Sequence, residues 1–291
     1  MYPQFMCIGA QKSGTTWLYD NLKDHPQIWL PLIKEIRYFQ RRNSRSWLVG
    51  YLCSRRGPII LSKVLKHAFR KIKTTQDIAW YLRYLLRKQN DSWYASLFLP
   101  EPGQIAGDIS PGYGPLKLAI VEHIYKLMPK LKIIYLLRNP IDRSWSHLCM
   151  HFNNWDPKVL ESSDKKKIKT FINRRRNIRY SQYSKTLQIW EKIYPKEQIF
   201  IGFYEQLKEA PSQLLADILN FLEVDASIIP ETVGRVIRPS HIRTRYYKPL
   251  PFYWAQYLAQ RHYSDIQLLH QRFNNASTAS WLQSAERYLA L

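Results

Sequence analysis

Phe5-Met6-Cys7-Ile8-Gly9-Ala10-Gln11-Lys12-Ser13-Gly14-Thr15-Thr16-Trp17-Leu18 is the stretch that decides how the rest of the chain is read. Phe5 to Gly9 is a short apolar run, and from Thr15 to Leu22 apolar residues recur at helical spacing as Trp17, Leu18 and Leu22. Between them, Gly9 to Thr16 is a polar turn holding two glycines. Strand, loop and helix in this order bring successive backbone N–H groups and a helix N-terminus to one point, an arrangement that binds phosphate.

Outward from this loop the alternation continues. Leu131 to Leu137 is a second apolar strand, bounded by Met128-Pro129 and by Arg138-Asn139-Pro140, with a helix expected from near Ile141. Gln198 to Phe203 is a third strand, between a helix over 183–194 and another over 211–222. Strands alternating with helices predict an α/β fold, its central sheet mostly parallel and covered on both faces. The 291 residues fit one domain of this kind, spanning 1–291. A basic segment over 41–95 interrupts the alternation. Trp47, Leu48, Ile78, Trp80, Tyr81 and Leu85 give it a helical look, as an insertion over the active face. Residues 234–251, rich in Arg, Pro and Tyr, predict a long ordered loop near the site, before C-terminal helices such as one over 257–273.

A nucleoside-triphosphate loop has the pattern G-x-x-x-x-G-K-[ST]. Here Thr15 follows the second glycine, and Lys12 lies two residues before it. No acid is seen to close an apolar strand as a magnesium ligand, since Leu131 to Leu137 ends in Arg138. Metal-free transfer from a nucleotide fits this better than ATP hydrolysis. In Arg138-Asn139-Pro140-Ile141-Asp142-Arg143-Ser144-Trp145-Ser146, an Arg stands at a strand end and Ser146 lies about two turns into the next helix. A guanidinium fork and a hydroxyl suit a second phosphate. Two phosphate sites point to a nucleotide phosphorylated at both ends, with a surface salt bridge as the alternative for Arg138.

The Lys-Ser-Gly-Thr-Thr-Trp loop and the Arg-Asn-Pro…Ser segment together resemble the two donor-binding motifs of the sulfotransferase family. The likeness runs from Phe5 to about Leu222, including Tyr204-Glu205-Gln206-Leu207, and fades beyond. It implies a P-loop-like three-layer α/β/α fold with helical insertions, and the donor 3′-phosphoadenosine 5′-phosphosulfate, released as 3′,5′-diphosphoadenosine. Carried over, Lys12, Ser13, Gly14, Thr15, Thr16 and Trp17 flank the 5′ side of the donor, and Arg138 and Ser146 the 3′-phosphate. Lys34-Glu35-Ile36-Arg37-Tyr38-Phe39 resembles the Lys-Glu-x-x-x-Phe segment of the heparan-type and bacterial branch. That implies Glu35 as the base and Lys12 as the group that meets charge on the leaving oxygen. A tight pair with Lys34 would weaken Glu35, and a solvated Lys34–Glu35 pair in a loop is the alternative. Asp108-Ile109-Ser110-Pro111-Gly112-Tyr113 resembles the family's Ser/Thr-Pro-x-Tyr segment beside the acceptor, leaving Asp108 as a supporting carboxylate or an acceptor contact. The family's late donor clamp finds no matching triplet here, and the choice among Arg235, Arg238, Arg243 and Arg245 stays open.

The remaining features narrow the partners. The net charge of +22 attracts anions without naming one. It is concentrated: 41–88 holds 13 Lys or Arg and one acid, and 164–179 holds eight and one. These are either solvated helical faces or the walls of an electropositive acceptor groove. The acceptor is expected to be the hydroxyl or amine of a carbohydrate, glycolipid or small metabolite, with an anionic glycan suiting the charge and nucleic acid not expected. A magnesium-dependent nucleotide kinase and a non-catalytic polyanion-binding protein are the rival classes. Cys7, Cys53 and Cys149 suit neither a disulfide framework nor a zinc site and read as buried thiols. His147 and His151 stand at i, i+4 with no third ligand, so no metal is expected, and His25 reads as a helix-end residue. With no run near 20 apolar residues, the chain as written reads as soluble and cytoplasmic.

Overall fold

A computed structural model describes residues 1–40, 72–155, 165–229, 233 and 249–290. Its centre is a five-stranded parallel sheet in the order β2-β3-β1-β4-β5, made of β1 (Phe5–Gly9), β2 (Ile28–Trp29), β3 (Ile105–Ile109), β4 (Lys132–Leu137) and β5 (Ile199–Phe203). Side chains alternate across the sheet. Phe5, Cys7, Ile134 and Leu136 enter one apolar cluster, and Met6, Ile8, Ile133, Tyr135 and Leu137 enter the other. Both faces of β1 and β4 are therefore buried, and this is why their sequences are apolar without a polar phase.

The first face is covered by α1 (Thr15–Leu22) and by a helix at Pro211–Leu222, through Trp17, Leu18, Leu22, Leu214, Ile218 and Leu222. The other is covered by helices at Leu118–Leu127, Pro140–Trp155, Tyr183–Glu191, Phe252–Phe273 and Ala276–Leu289. In chain order the helices are α2 (Thr75–Leu86), α3 (Asp91–Ala95), α4 (Leu118–Leu127), α5 (Pro140–Trp155), α6 (Lys165–Ile172), α7 (Arg175–Arg179), α8 (Tyr183–Glu191), α9 (Tyr204–Glu209), α10 (Pro211–Leu222), α11 (Phe252–Phe273) and α12 (Ala276–Leu289). The α/β expectation and the parallel sheet hold. Strand order reverses direction about β1, so the loops after β1 and its neighbours diverge at the C-terminal edge and open a crevice there.

Local chemistry explains the boundaries. Pro140 opens α5, where its missing N–H is no loss, and the Asn139 Oδ1 accepts from the N–H of Ile141 at 3.0 Å. Within the basic insertion a reciprocal Thr74–Asp77 cap starts α2. Of that insertion, α2 and α3 are helical as expected, and residues 41–71 lie outside the described residues, with Cys53 among them. So do residues 234–248 of the late loop and Arg235, Arg238, Arg243 and Arg245 within it. The α11 helix starts at Phe252 rather than near Tyr257, since Pro251 supplies the boundary.

Two strands escape a pattern-based reading. β2 is only two residues long, and in β3 the apolar run is broken by Gly107 and Asp108. Gly107 is there for space: a Cβ at this position would stand 2.0 Å from Cζ of Phe5, a ring packed in the core of the adjacent strand. Gly107→Ala should therefore lower stability by about 1–3 kcal/mol, the ordinary cost of overpacking, as measured by urea unfolding.

Candidate active site

The Gly9–Thr16 loop leaves β1 at the switch point and enters α1 through Gly14, at φ 93, a left-handed conformation in which glycine meets no Cβ penalty. No side chain caps the N-terminus of α1 and no acid occupies its first turn, which leaves its leading N–H groups without a side-chain cap. Leu18 N–H closes the first turn onto the Gly14 carbonyl at 3.0 Å, and Ala10 N–H ties the loop to the Leu136 carbonyl of β4 at 2.6 Å. Lys12 is also left-handed, at φ 75. Its Nζ approaches the Met150 Sδ of α5 at 3.7 Å, a weak contact for an ammonium, and burial followed by the nearby Arg138 charge pulls its pKa down.

Arg138, at the end of β4, donates from Nη1 to the Lys12 carbonyl at 3.0 Å, and its guanidinium lies over the Tyr204 ring at 4.4 Å. The two predicted motifs thus meet at one point. Arg138 Nε is buried with no partner among the described residues. Ser146 is half-buried on α5, and Ser13 is fully buried beneath the loop. Thr15 is buried and Thr16 half-buried at the start of α1. Trp17 turns the other way: it packs in the α1–α10 cluster and donates its indole N–H to the Val233 carbonyl at 3.1 Å.

Lys34 and Glu35 do not pair with each other at ion-pair distance. Lys34 Nζ donates to Thr16 Oγ1 at 2.7 Å, which adds a third cation to the loop, and burial lowers its pKa as well. Glu35 instead accepts from the Arg37 side chain, with Nε–Oε2 at 2.8 Å and an ion pair through Nη2. Both are left-handed, Glu35 at φ 67 and Arg37 at φ 59. Among the described non-glycine residues with positive φ, the others besides Lys12 are Glu223 and Asn274 at helix C-termini. Strain outside helix ends is gathered at this site.

Beneath Glu35 lies an anchored acid. The backbone N–H of Arg37 donates to Ser110 Oγ at 3.3 Å, and Ser110 Oγ–H donates to Asp108 Oδ1 at 2.7 Å. Tyr94 and Tyr113 hydroxyls donate to Asp108 Oδ2, each at 2.9 Å. Asp108 is 1% exposed, and burial lifts its carboxyl from 3.8 to about 6 against the pull of those three hydroxyls. Asp108, which the sequence offers as a supporting carboxylate or an acceptor contact, stands near the end of β3, the strand beside β1. Its oxygens are engaged by hydroxyl donors. Among the described residues no group of three or more His, Cys, Asp or Glu could hold a metal ion.

A family model described as "Sulfotransferase domain" matches residues 2–286. The chain belongs to this family. The match continues past Leu222, where motif resemblance fades, and α11 and α12 are joined to the rest of the fold by scattered contacts. His262 bonds Ser144 Oγ at 2.9 Å, Asp265 accepts from the Tyr183 N–H at 2.9 Å, and Trp281 donates to Glu205 at 3.0 Å. A solved sulfotransferase from Alicyclobacillus acidocaldarius superposes with TM-score 0.63 at 19% identity, covering 97% of this chain and 99% of that one. The sulfotransferase domain from the curacin biosynthetic pathway gives 0.50 at 19% identity, over 82% and 79%. These support the P-loop-like three-layer fold. Among curated sequences, bifunctional heparan sulfate N-deacetylase/N-sulfotransferase 3 of Homo sapiens is 25% identical, covering 76% of this chain and 22% of the relative. The Drosophila melanogaster enzyme is also 25% identical, over 76% and 20%. The chain spans about a fifth of the length of these relatives.

For this sulfotransferase-family chain, sequence reasoning missed Lys34 as a partner of the loop and Tyr204 as the platform under Arg138. The Lys-Glu pair drew attention to Glu35, and only proximity shows that Lys34 turns to Thr16. It also missed Arg143, 1% exposed, whose Nη2 reaches Ser144 Oγ at 3.1 Å while Nε and Nη1 have no partner among the described residues. His147 is pushed down to about 2 by burial and by the Arg143 charge. His25 is a structural contact, with Nε2 3.0 Å from the Asp225 carbonyl. Cys7 and Cys149 are buried thiols outside any disulfide.

Asp108 generates a pH-dependent expectation. A raised folded pKa means the native state holds this proton more tightly than the unfolded chain, so the contribution is greatest at low pH and declines as pH rises through about 4 to 6. The stability of wild type relative to Asp108→Asn should fall by on the order of 2 kcal/mol across that window in urea titrations. A difference that is flat with pH would show that the carboxyl titrates as an exposed one.

Proposed function

We propose that this chain transfers a sulfuryl group from 3′-phosphoadenosine 5′-phosphosulfate to a hydroxyl or amine of a carbohydrate acceptor, with Glu35 as base. The observation that carries the proposal is the junction of the two motifs: Arg138 donates to the carbonyl of Lys12, so two phosphate-binding elements far apart in sequence share one crevice. The residues fit a doubly phosphorylated nucleotide. The uncapped N-terminus of α1 with Lys12, Lys34 and Thr16 would hold the 5′ side, and Arg138 and Ser146 the 3′-phosphate.

The donor supplies a sulfuryl group on a phosphate leaving group. During transfer the acceptor oxygen or nitrogen forms a bond to sulfur as the bond from sulfur to the phosphate oxygen breaks. Glu35 would receive the acceptor's proton, exchanging its Arg37 contact for the acceptor. Lys12 and the loop N–H groups would meet the negative charge that grows on the departing oxygen. Asp108, through Ser110, would hold the left-handed segment that carries Glu35. Curated relatives are named for heparan sulfate N-sulfotransferase activity, and the net charge of +22 suits an anionic glycan acceptor of the same kind.

Glu35→Gln should lower kcat by about 10²-fold or more while leaving 3′,5′-diphosphoadenosine affinity near wild type, as read by radiolabel transfer and calorimetry. Arg138→Ala should weaken that affinity about 10- to 100-fold, the usual loss for a hydrogen bond to a charged group. Both measurements are made in excess chelator. Binding that requires magnesium and prefers ATP would instead mark a nucleotide kinase.

A further inference from the structure

One face of the molecule is basic and has no part in the crevice just described. Along one side of α6 and the residues just after it runs an open groove of about 700 Å³, lined by Lys165, Lys166, Lys169, Thr170, Asn173 and Arg174. Asp164 precedes Lys165, and from Lys165 to residue 190 the sequence holds no Asp or Glu, so bases predominate along this helix. The lysines rest on rings: Lys165 Nζ is 4.6 Å from the centroid of Tyr253, and Lys169 Nζ is 5.4 Å from that of Tyr257. A ring quadrupole steadies an ammonium without neutralising it. These ring contacts hold the cations of the groove in place.

Its frame is tied to the crevice. Asn173 and Tyr257 exchange hydrogen bonds at 2.8 and 3.1 Å, joining the end of α6 to α11. On the inner side of α6, Phe171 stacks on His151 of α5 with ring centroids 4.4 Å apart. The preceding residue on α5, Met150, is the one that Lys12 Nζ touches. One helix separates the groove from the phosphate loop.

We infer that this groove binds a stretch of an anionic polysaccharide, the part of the acceptor chain lying beyond the sugar that reacts, an inference that rests on the sulfotransferase reading above. Repeated sulfate or carboxylate groups would meet Lys165, Lys166, Lys169 and Arg174, and sugar hydroxyls would meet Thr170 and Asn173. The open, shallow shape suits a linear chain passing through rather than an enclosed small molecule. Single-stranded nucleic acid fits less well, since base stacking needs free aromatic faces and lysines lie over those of Tyr253 and Tyr257.

The test is a triple variant, Lys165→Ala/Lys166→Ala/Lys169→Ala, in the full chain, with heparin as the probe. Heparin affinity should fall at least tenfold, and the slope of log K against log salt should become shallower by about three charges. Affinity for 3′,5′-diphosphoadenosine should stay at the wild-type value, which also verifies folding. A second variant, Lys165→Arg/Lys166→Arg/Lys169→Arg, should restore heparin binding. Unchanged heparin affinity in the alanine variant overturns the assignment. An equal loss for single-stranded DNA or for phosphatidylserine vesicles overturns it too, by showing a generic anion surface. If wild type binds heparin through these lysines yet binds no 3′,5′-diphosphoadenosine, the donor reading fails and the groove stands.

Discussion

Positive charge brought together without matching carboxylates is the constraint around which this molecule is arranged. Lys12, Lys34 and Arg138 meet at the C-terminal edge of the sheet, and Arg143 is buried behind them. Among the described residues none of the four has an acid at ion-pair distance. Burial lowers the pKa of both lysines and of the buried arginine, which records the cost of holding these charges away from water. An anion in the crevice would relieve that cost. The fold tolerates the charges because the sheet beneath them is buried on both faces by two apolar clusters, and the loops are pinned by backbone bonds such as Ala10 to Leu136.

The acids near the site are handled differently from the bases. Glu35 is held by Arg37 at the surface of the crevice, whereas Asp108 lies fully buried and is satisfied by Ser110, Tyr94 and Tyr113. Ser110 connects the two, because it accepts from Arg37 while donating to Asp108. A left-handed Glu35 and a left-handed Arg37 are both conformations that need support from their surroundings. The division of labour is plain in physical terms: one carboxylate sits where it can exchange partners, and the other where it cannot.

Much of the fold was legible because parallel strands buried on both faces leave continuous apolar runs. β1, β4 and β5 announce themselves in this way, and α5 and α10 begin at Pro140 and Pro211. β3 did not, since Gly107 makes room for Phe5 and Asp108 carries its charge into the core. At the site, the Lys12 loop and Arg138 were legible as motifs of residue type and spacing. The pairing of Glu35 was not: the sequence places Lys34 beside it, and the structure sends Lys34 to Thr16 and brings Arg37 instead. A left-handed turn at Glu35 and Arg37 reverses which neighbours face each other, and nothing in residue order reports φ.

By itself the sequence determined the strand–loop–helix around Gly9 to Thr16, the distant Arg138–Ser146 segment, the α/β class and the concentration of positive charge. These are local properties, set by periodicity, by glycine and by residue type. Only the tertiary structure decided that Arg138 reaches the carbonyl of Lys12, that Asp108 supports the Glu35 segment through Ser110, and that Lys165 and Lys169 of α6 lie on Tyr253 and Tyr257 of α11. Each of those contacts joins residues remote in the chain or turns on a backbone conformation, and their meeting is set by strand order and helix packing, which residue order does not carry.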